Sequence, residues 1–161
     1  MAFRRMQVFR TKDNMFLGYL SCDTANSQRA WVTNSAVGGY DYDWVSYPDG
    51  RWRLDQETEG ANRSLTYDAV LTDDWWQAVW GLADNWIYLT LGADDSVQYS
   101  DGEVSRMLRV DDDRMLFFLK SSDKEGATGH DWDGNPMRHY WNVSLRLVPE
   151  GSDPNNLPMG K

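Results

Sequence analysis

Apolar residues in this chain come in short runs of four to seven, and the spacing of three and four that a buried helix face requires is nearly absent. The runs are rich in Val, Leu, Tyr, Phe and Trp and are bounded by Asp, Asn, Gly and Ser, which is the pattern of strands joined by turns. About twelve strands are predicted: Met6–Thr11, Phe16–Cys22, Ala30–Asn34, Trp44–Tyr47, Arg51–Asp55, Ser64–Tyr67, Trp76–Trp80, Trp86–Leu91, Ser96–Tyr99, Arg106–Val110, Met115–Lys120 and Tyr140–Val148. The main helical alternative covers Thr72–Leu82, where Asp73 or Asp74 would cap a helix with Trp76, Val79, Trp80 and Ala83 on one face.

Turn chemistry supports the strands. Pro48-Asp49-Gly50 supplies a fixed φ followed by a residue tolerant of positive φ, as a tight hairpin demands. Lys12-Asp13-Asn14, Ser100-Asp101-Gly102 and Asp111-Asp112-Asp113 read as turns by the same logic. From Pro149 the composition shifts to Pro, Gly, Asn and Asp, so residues 1–150 are expected to form a single all-β domain and 151–161 a flexible tail.

Charge and cysteine usage narrow the function classes. Sixteen Lys and Arg against 25 Asp and Glu leave a net charge of -9, a surface that repels phosphate backbones, so no nucleic-acid partner is expected. No apolar run approaches the roughly 18 residues of a membrane span. The start, broken by Arg4, Arg5 and Arg10, lacks the apolar core of a secretion signal, and the single Cys22 has no partner for an internal disulfide. A cytoplasmic protein is the expectation, with release by a non-classical route open. Nine Trp, eight Tyr and five Phe exceed what a core of this size needs. At least half of the Trp are expected as core filler, and several aromatic rings are expected at the surface, where flat faces bind sugars, peptides or partner proteins.

The chain also echoes itself. Residues 16–28, 63–75 and 115–127 correspond at offsets of about 50 residues, and each is followed by an aromatic strand, at 43–47, 85–89 and 140–145. A competing period of about 34 residues runs through Tyr19, Trp52, Trp86 and Phe118. The stretch from Trp44 to Leu54, followed by Leu65-Thr66-Tyr67-Asp68, resembles the strand, turn, strand and Leu-Thr progression of ricin-B-type β-trefoils. Residues 19–32 are similar to the opening hairpin of fascin-like trefoils. The resemblance, over about residues 5–150, implies a β-trefoil-like barrel of three repeats of about four strands. The Gln-x-Trp signature of ricin-type repeats is absent and paired cysteines are impossible, so no defined sugar subsite carries over. A closed barrel of another kind, such as a calycin-like one, is the alternative.

The densest polar cluster, residues 129–139, contains Gly129, Gly134 and Pro136 and holds both histidines, His130 and His139. Carboxylates and amides grouped around an indole are the chemistry of a sugar site, because a ring stacks on C–H faces while polar groups take hydroxyls. Asp131, Trp132, Asn135 and His139 are therefore the first binding candidates under a trefoil reading; a solvated loop is the alternative. Tyr40 and Tyr42, which alternate with Asp41 and Asp43 ahead of Trp44, are further candidates. Asp23, Trp31 and Asn34 form a comparable set in the first repeat, and Asp73, Asp74 and Trp75 one in the second.

Metal sites find little support. The Asp-Trp-Asp-Gly-Asn segment lacks the later bidentate Glu of a calcium loop, and two histidines nine apart without an HExxH helix do not make a zinc site. No nucleophile motif stands out, and the acid pairs Asp94-Asp95, Asp101 with Glu103 and Asp111 to Asp113 sit in turns. The expected function is carbohydrate or glycoprotein binding without catalysis or cofactor. A protein-binding trefoil, such as a protease inhibitor or toxin subunit, is the second reading. A small barrel enzyme or carrier, with Trp75, Trp76, Trp80 and Trp86 around an apolar ligand, is the third.

Overall fold

The computed structural model describes residues 3–161 apart from 26, 27, 59, 73, 74, 83 and 131–135, and only the backbone of residues 69–72, 75, 127–130 and 136–138. The chain is all-β. Its strands are β1 Arg4–Arg10, β2 Met15–Asp23, β3 Arg29–Thr33, β4 Asp41–Ser46, β5 Trp52–Gln56, β6 Arg63–Thr72 and β7 Trp75–Leu82, then β8 Thr90–Leu91, β9 Val97–Ser100, β10 Ser105–Val110, β11 Leu116–Lys120, β12 Gly126–His130 and β13 Pro136–Leu147. Two short 3-10 turns, Ala36–Gly38 and Pro154–Asn156, are the only helical elements among the described residues, and no helix there is long and apolar enough to cross a membrane.

Eight strands close on themselves in the order β13, β1, β4, β5, β6, β7, β11, β10 and back to β13, with every neighbour antiparallel. The remaining strands are attached to this barrel. The β2–β3 hairpin joins β1 on one side and β7 on the other, and β8 and β9 extend from β10. Single bridges add Trp52 to Leu89, Ser96 to Ser144 and Trp31 to Met115.

Alternation along the strands builds the core. Leu20 faces Val32 across β2–β3, Leu65 faces Trp80 across β6–β7, and Leu108 faces Phe118 across β10–β11; none of the six is more than 1% exposed. Met6, Leu54 and Val97 fill the space beneath them, each fully buried. Of the Trp residues whose side chains are described, Trp80 alone is fully buried; Trp44, Trp52, Trp76 and Trp141 pack partly exposed against the core.

The turns follow their chemistry. Gly50 sits at φ +85 and donates to Tyr47 O at 3.1 Å, while Asp49 Oδ1 accepts from Arg51 N. Asp101 Oδ1 takes the backbone N–H groups of Glu103 and Val104, and Asp111 Oδ1 those of Asp113 and Met115.

One expectation holds against its alternative and two are corrected. Trp76–Trp80 lies within a strand, Trp75–Leu82, paired with β6, so the helical alternative falls there, because β-branched and aromatic partners outweigh the capping signal; Asp73 and Asp74 lie outside the described residues. Trp86–Leu91 is not one continuous strand, since only Thr90–Leu91 is regular and Trp86 and Tyr88 instead form a ring cluster with Tyr47. The 129–139 segment is not a loop throughout, because β12 and the start of β13 form a hairpin within it. Its alternating small and polar residues hide the strand signal.

The segment that composition marks as a tail lies against the body. Leu157 packs with Tyr19, Ala36 and Val148, Tyr19 Oη donates to Pro158 O at 2.7 Å, and Gly160 N donates to Asn34 O at 2.7 Å. A Cβ on Gly160 would stand 2.2 Å from Leu17 O, so this approach requires glycine.

Replacing Leu108 by Ala removes one side of a buried pair and should lower stability by about 2–5 kcal/mol, whereas Leu91→Ala, at a position 37% exposed, should cost less than about 1 kcal/mol. Urea unfolding of both variants checks the difference; equal costs would mean that the Leu108–Phe118 pair is not core.

Candidate functional site

Two polar residues break the apolar alternation at neighbouring inward positions. Gln56 lies two residues beyond core Leu54 on β5, and Arg63 lies two residues before core Leu65 on β6. Side chains two apart on a strand share a face, so both share the face of the core leucines, and the strands place them directly opposite one another.

They line a groove of about 590 Å³ with Thr24 and Gln28 from the β2–β3 turn, Tyr40 from the entry to β4, Thr58 and Ala61 from the β5–β6 connection, and Leu82 from the end of β7. Among its described lining residues Arg63 is the one charged side chain.

Gln56 is fully buried. Its Nε2 donates to Tyr42 Oη at 3.1 Å, and its Oε1 has no hydrogen-bond partner among the described residues. A buried carbonyl oxygen left without a donor carries a desolvation cost of about 1–3 kcal/mol. Arg63 is braced from behind, donating from NH1 to Trp80 O at 3.0 Å.

Tyr42 completes the floor. It is fully buried, its ring lies 4.9 Å from that of Trp80, and burial pushes its phenol well above the usual tyrosine range. Tyr42, which is not among the groove's lining residues, holds Gln56 from below, whereas Tyr40, half-buried, lines the groove.

Asp131, Trp132 and Asn135 lie outside the described residues. His139 is exposed, with Nδ1 3.0 Å from Asp112 Oδ2. Asp23 ends β2 opposite Arg29, Trp31 is half-buried opposite Ser21, and exposed Asn34 spends its backbone carbonyl on Gly160. These four, His139, Asp23, Trp31 and Asn34, are not among the groove's lining residues. Trp76, Trp80 and Trp86 do not surround one cavity: Trp76 stacks on Tyr67 at 4.0 Å, Trp80 is tilted against Tyr42, and Trp86 stacks on Tyr47. The side chain of Trp75 is outside the described set.

A second surface feature gathers around the β4–β5 turn. Tyr47 and Trp86 lie nearly parallel, 13° apart, with Tyr88 edge-on to both. Arg51 covers Tyr88 at 3.5 Å and Arg53 covers Trp86 at 5.2 Å, and a shallow groove of about 350 Å³ continues to Tyr99 and Asp101. Asp49 and Asp55 pair with these arginines.

Gln56, Arg63, Gln28 and the two threonines were missed on sequence. The available signal was polarity at positions that alternation assigns to the interior, Leu54 to Gln56 and Arg63 to Leu65. No family model, curated protein or solved structure matches the chain, so the groove is judged on its own geometry.

Cys22, buried beside the groove with its thiol donating to Gln28 Oε1 at 3.0 Å, has its pKa pushed by burial from 9.0 to about 11. That argues against a nucleophile. The unfolded thiol ionises through pH 9 while the folded one holds its proton until about 11, so the folded state binds more protons in that window and stability falls as pH rises. Cys22→Ala should flatten part of this loss, leaving that from Tyr42 and Tyr99, the latter raised to about 12. Urea midpoints at about pH 8 and about pH 10.5 measure it; identical losses in both proteins would mean a solvated thiol.

Proposed function

We propose that the chain is a β-trefoil which binds carbohydrate in the Gln56 groove. The pairing pattern supports the trefoil. Six strands link pairwise into an inner ring, β1 to β4, β4 to β5, β5 to β8 through Trp52–Leu89, β8 to β9, β9 to β13 through Ser96–Ser144, and β13 to β1. The hairpins β2–β3, β6–β7 and β10–β11 then meet pairwise at Arg29–Val79, Phe117–Gln77 and Trp31–Met115.

Equivalent positions recur under that reading. Leu20, Leu65 and Leu108 correspond, as do Val32, Trp80 and Phe118 opposite them, and Met6, Leu54 and Val97 beneath. Arg63 donates to Trp80 O, and its counterpart Arg106 to Phe118 O. Trp80 N donates to Gln28 O at 2.9 Å and Val32 N to Arg114 O at 2.8 Å, with Gln28 and Arg114 at φ 61 and 67.

The observation that carries the ligand class is the buried, unpartnered Gln56 Oε1 in a groove that also offers a ring. A pyranose presents an apolar C–H face and a rim of hydroxyls. Tyr40 and Leu82 match the face, Gln56 Oε1 accepts from a hydroxyl, Arg63, Gln28 and Thr24 donate, and Thr58, whose proton goes to Ala61 O, accepts. Arg63 favours neutral or acidic sugars over cationic ligands.

Protein binding is the second reading. It rests on the Tyr47, Trp86, Tyr88 and Arg51 cluster, since Trp, Tyr and Arg dominate interface hot spots.

A glycan array on the wild type beside Gln56→Leu, Tyr40→Ala and Trp132→Ala tests the proposal. Binding to one coherent sugar family should weaken at least about tenfold in the first two variants and persist in the third. Loss confined to Trp132→Ala would move the site to the 131–135 segment, and a blank array would overturn the carbohydrate reading in favour of a protein partner.

A further inference from the structure

Arg63 is half-buried and has no carboxylate partner among the described residues, in a chain that carries 25 Asp and Glu. Arg5, Arg10, Arg51 and Arg53 each pair with an aspartate. Arg63 instead gives NH1 to Trp80 O at 3.0 Å, and its Nε and NH2 meet no acceptor among the described residues. The carbonyl bond fixes the guanidinium and leaves its charge uncancelled. What remains is the Nε–NH2 edge, two parallel donors that a planar carboxylate matches bidentately.

The acidic residues next to the groove in sequence do not supply that carboxylate. Asp55, beside Gln56 and so on the other face of β5, takes Arg53 Nε and NH2 and Ser64 Oγ at 2.7–2.9 Å. Asp23 and Glu57 adjoin lining residues but are not among them. A bracing role alone does not explain an open guanidinium. Arg106, the counterpart of Arg63 under the trefoil reading, braces Phe118 O in the same way while 3% exposed, with its guanidinium 3.7 Å over the Trp76 ring. Arg63 lines a groove.

Gln56 and Arg63 are directly opposite across β5–β6, a position in which Cβ atoms stand about 4.5–5.5 Å apart. A buried acceptor without a donor and a cation without an anion thus line the groove side by side among the described residues. One ligand satisfies both when it carries a hydroxyl next to a carboxylate. We propose that the Gln56 groove selects hexuronates, pyranoses whose carboxylate is borne on the ring carbon beside a hydroxyl-bearing one. The carboxylate meets Nε and NH2 of Arg63, the neighbouring hydroxyl donates to Gln56 Oε1, and the ring lies against Tyr40. The ligand class rests on the carbohydrate reading; the charge preference rests on Arg63. A neutral hexose leaves the guanidinium unmet, and a bare carboxylate leaves Tyr40 and Leu82 uncovered. A glycoside of N-acetylneuraminate sets its carboxylate between the ring oxygen and a methylene, with no hydroxyl alongside.

NMR titration of the isotope-labelled protein with methyl glucuronide, methyl galacturonide, methyl glucoside, methyl N-acetylneuraminide and acetate tests it. The better of the two hexuronides should bind at least about tenfold more tightly than each of the other three and weaken several-fold when salt rises from about 0.05 M to about 0.5 M. Arg63→Gln, which removes the charge and keeps an N–H donor, should lower the hexuronide to the affinity of the glucoside. Lys12→Gln, which removes the same charge from an exposed residue outside the groove, should leave it unchanged. The wild-type ranking and its salt response decide the matter even where Arg63→Gln folds poorly. Glucoside or neuraminide bound as tightly as the hexuronides, or loss in Lys12→Gln in place of Arg63→Gln, would overturn the selectivity and keep the carbohydrate reading. Acetate bound as tightly as the hexuronides, or no binding by any of the sugars, would overturn both.

Discussion

Everything in this molecule depends on the buried pairs that line its hairpins, Leu20 with Val32, Leu65 with Trp80 and Leu108 with Phe118. A β-hairpin alone is marginally stable in water, so each gains its stability by turning one apolar face onto the others. Closure of the antiparallel barrel satisfies the backbone groups on both edges of its strands at the same time. The same two demands dictate where polar side chains can be tolerated inside.

They are tolerated where a backbone carbonyl or a ring is ready to receive them. Arg63 reaches Trp80 O, and Arg106, 3% exposed, lies 3.7 Å over the Trp76 ring. Two residues before core Leu20 on β2 stands Gly18, at φ +143, where a Cβ would meet Thr33 O at 2.1 Å and against which Gly160 packs. The groove beside Arg63 is about 590 Å³ and the cavity beside Leu17 about 180 Å³.

The abundance of aromatic residues has a structural use as well as a surface one. Tyr67, Trp76, Tyr99 and Phe118 form a continuous set of ring pairs between neighbouring strands, and Tyr47, Trp86 and Tyr88 form another around the β4–β5 turn. Ring pairs add about 0.5–1.5 kcal/mol beyond burial and lock side chains that would otherwise be loose. Tyr40 is a half-buried ring that borders the Gln56 groove, and the carbohydrate proposal therefore uses it.

The sequence alone determined the all-β class, most strands and the turns, because these depend on local rules: period-two alternation, β-branched and aromatic runs, and Asp or Gly at fixed offsets. It located Tyr40 beside the groove and, by the same alternation, held an unread pointer in Gln56 and Arg63. It misjudged Trp86–Leu91 and the 129–139 hairpin, where the local pattern is weak and partners far along the chain decide the backbone. Only the tertiary structure decided that Gln56 keeps a carbonyl oxygen without a donor among the described residues, that Tyr42 is fully buried beneath it, and that Trp76, Trp80 and Trp86 go to separate ring pairs. Those outcomes depend on which strands pair and in what register, and register is a property of the whole barrel, invisible to any window of residues read by itself.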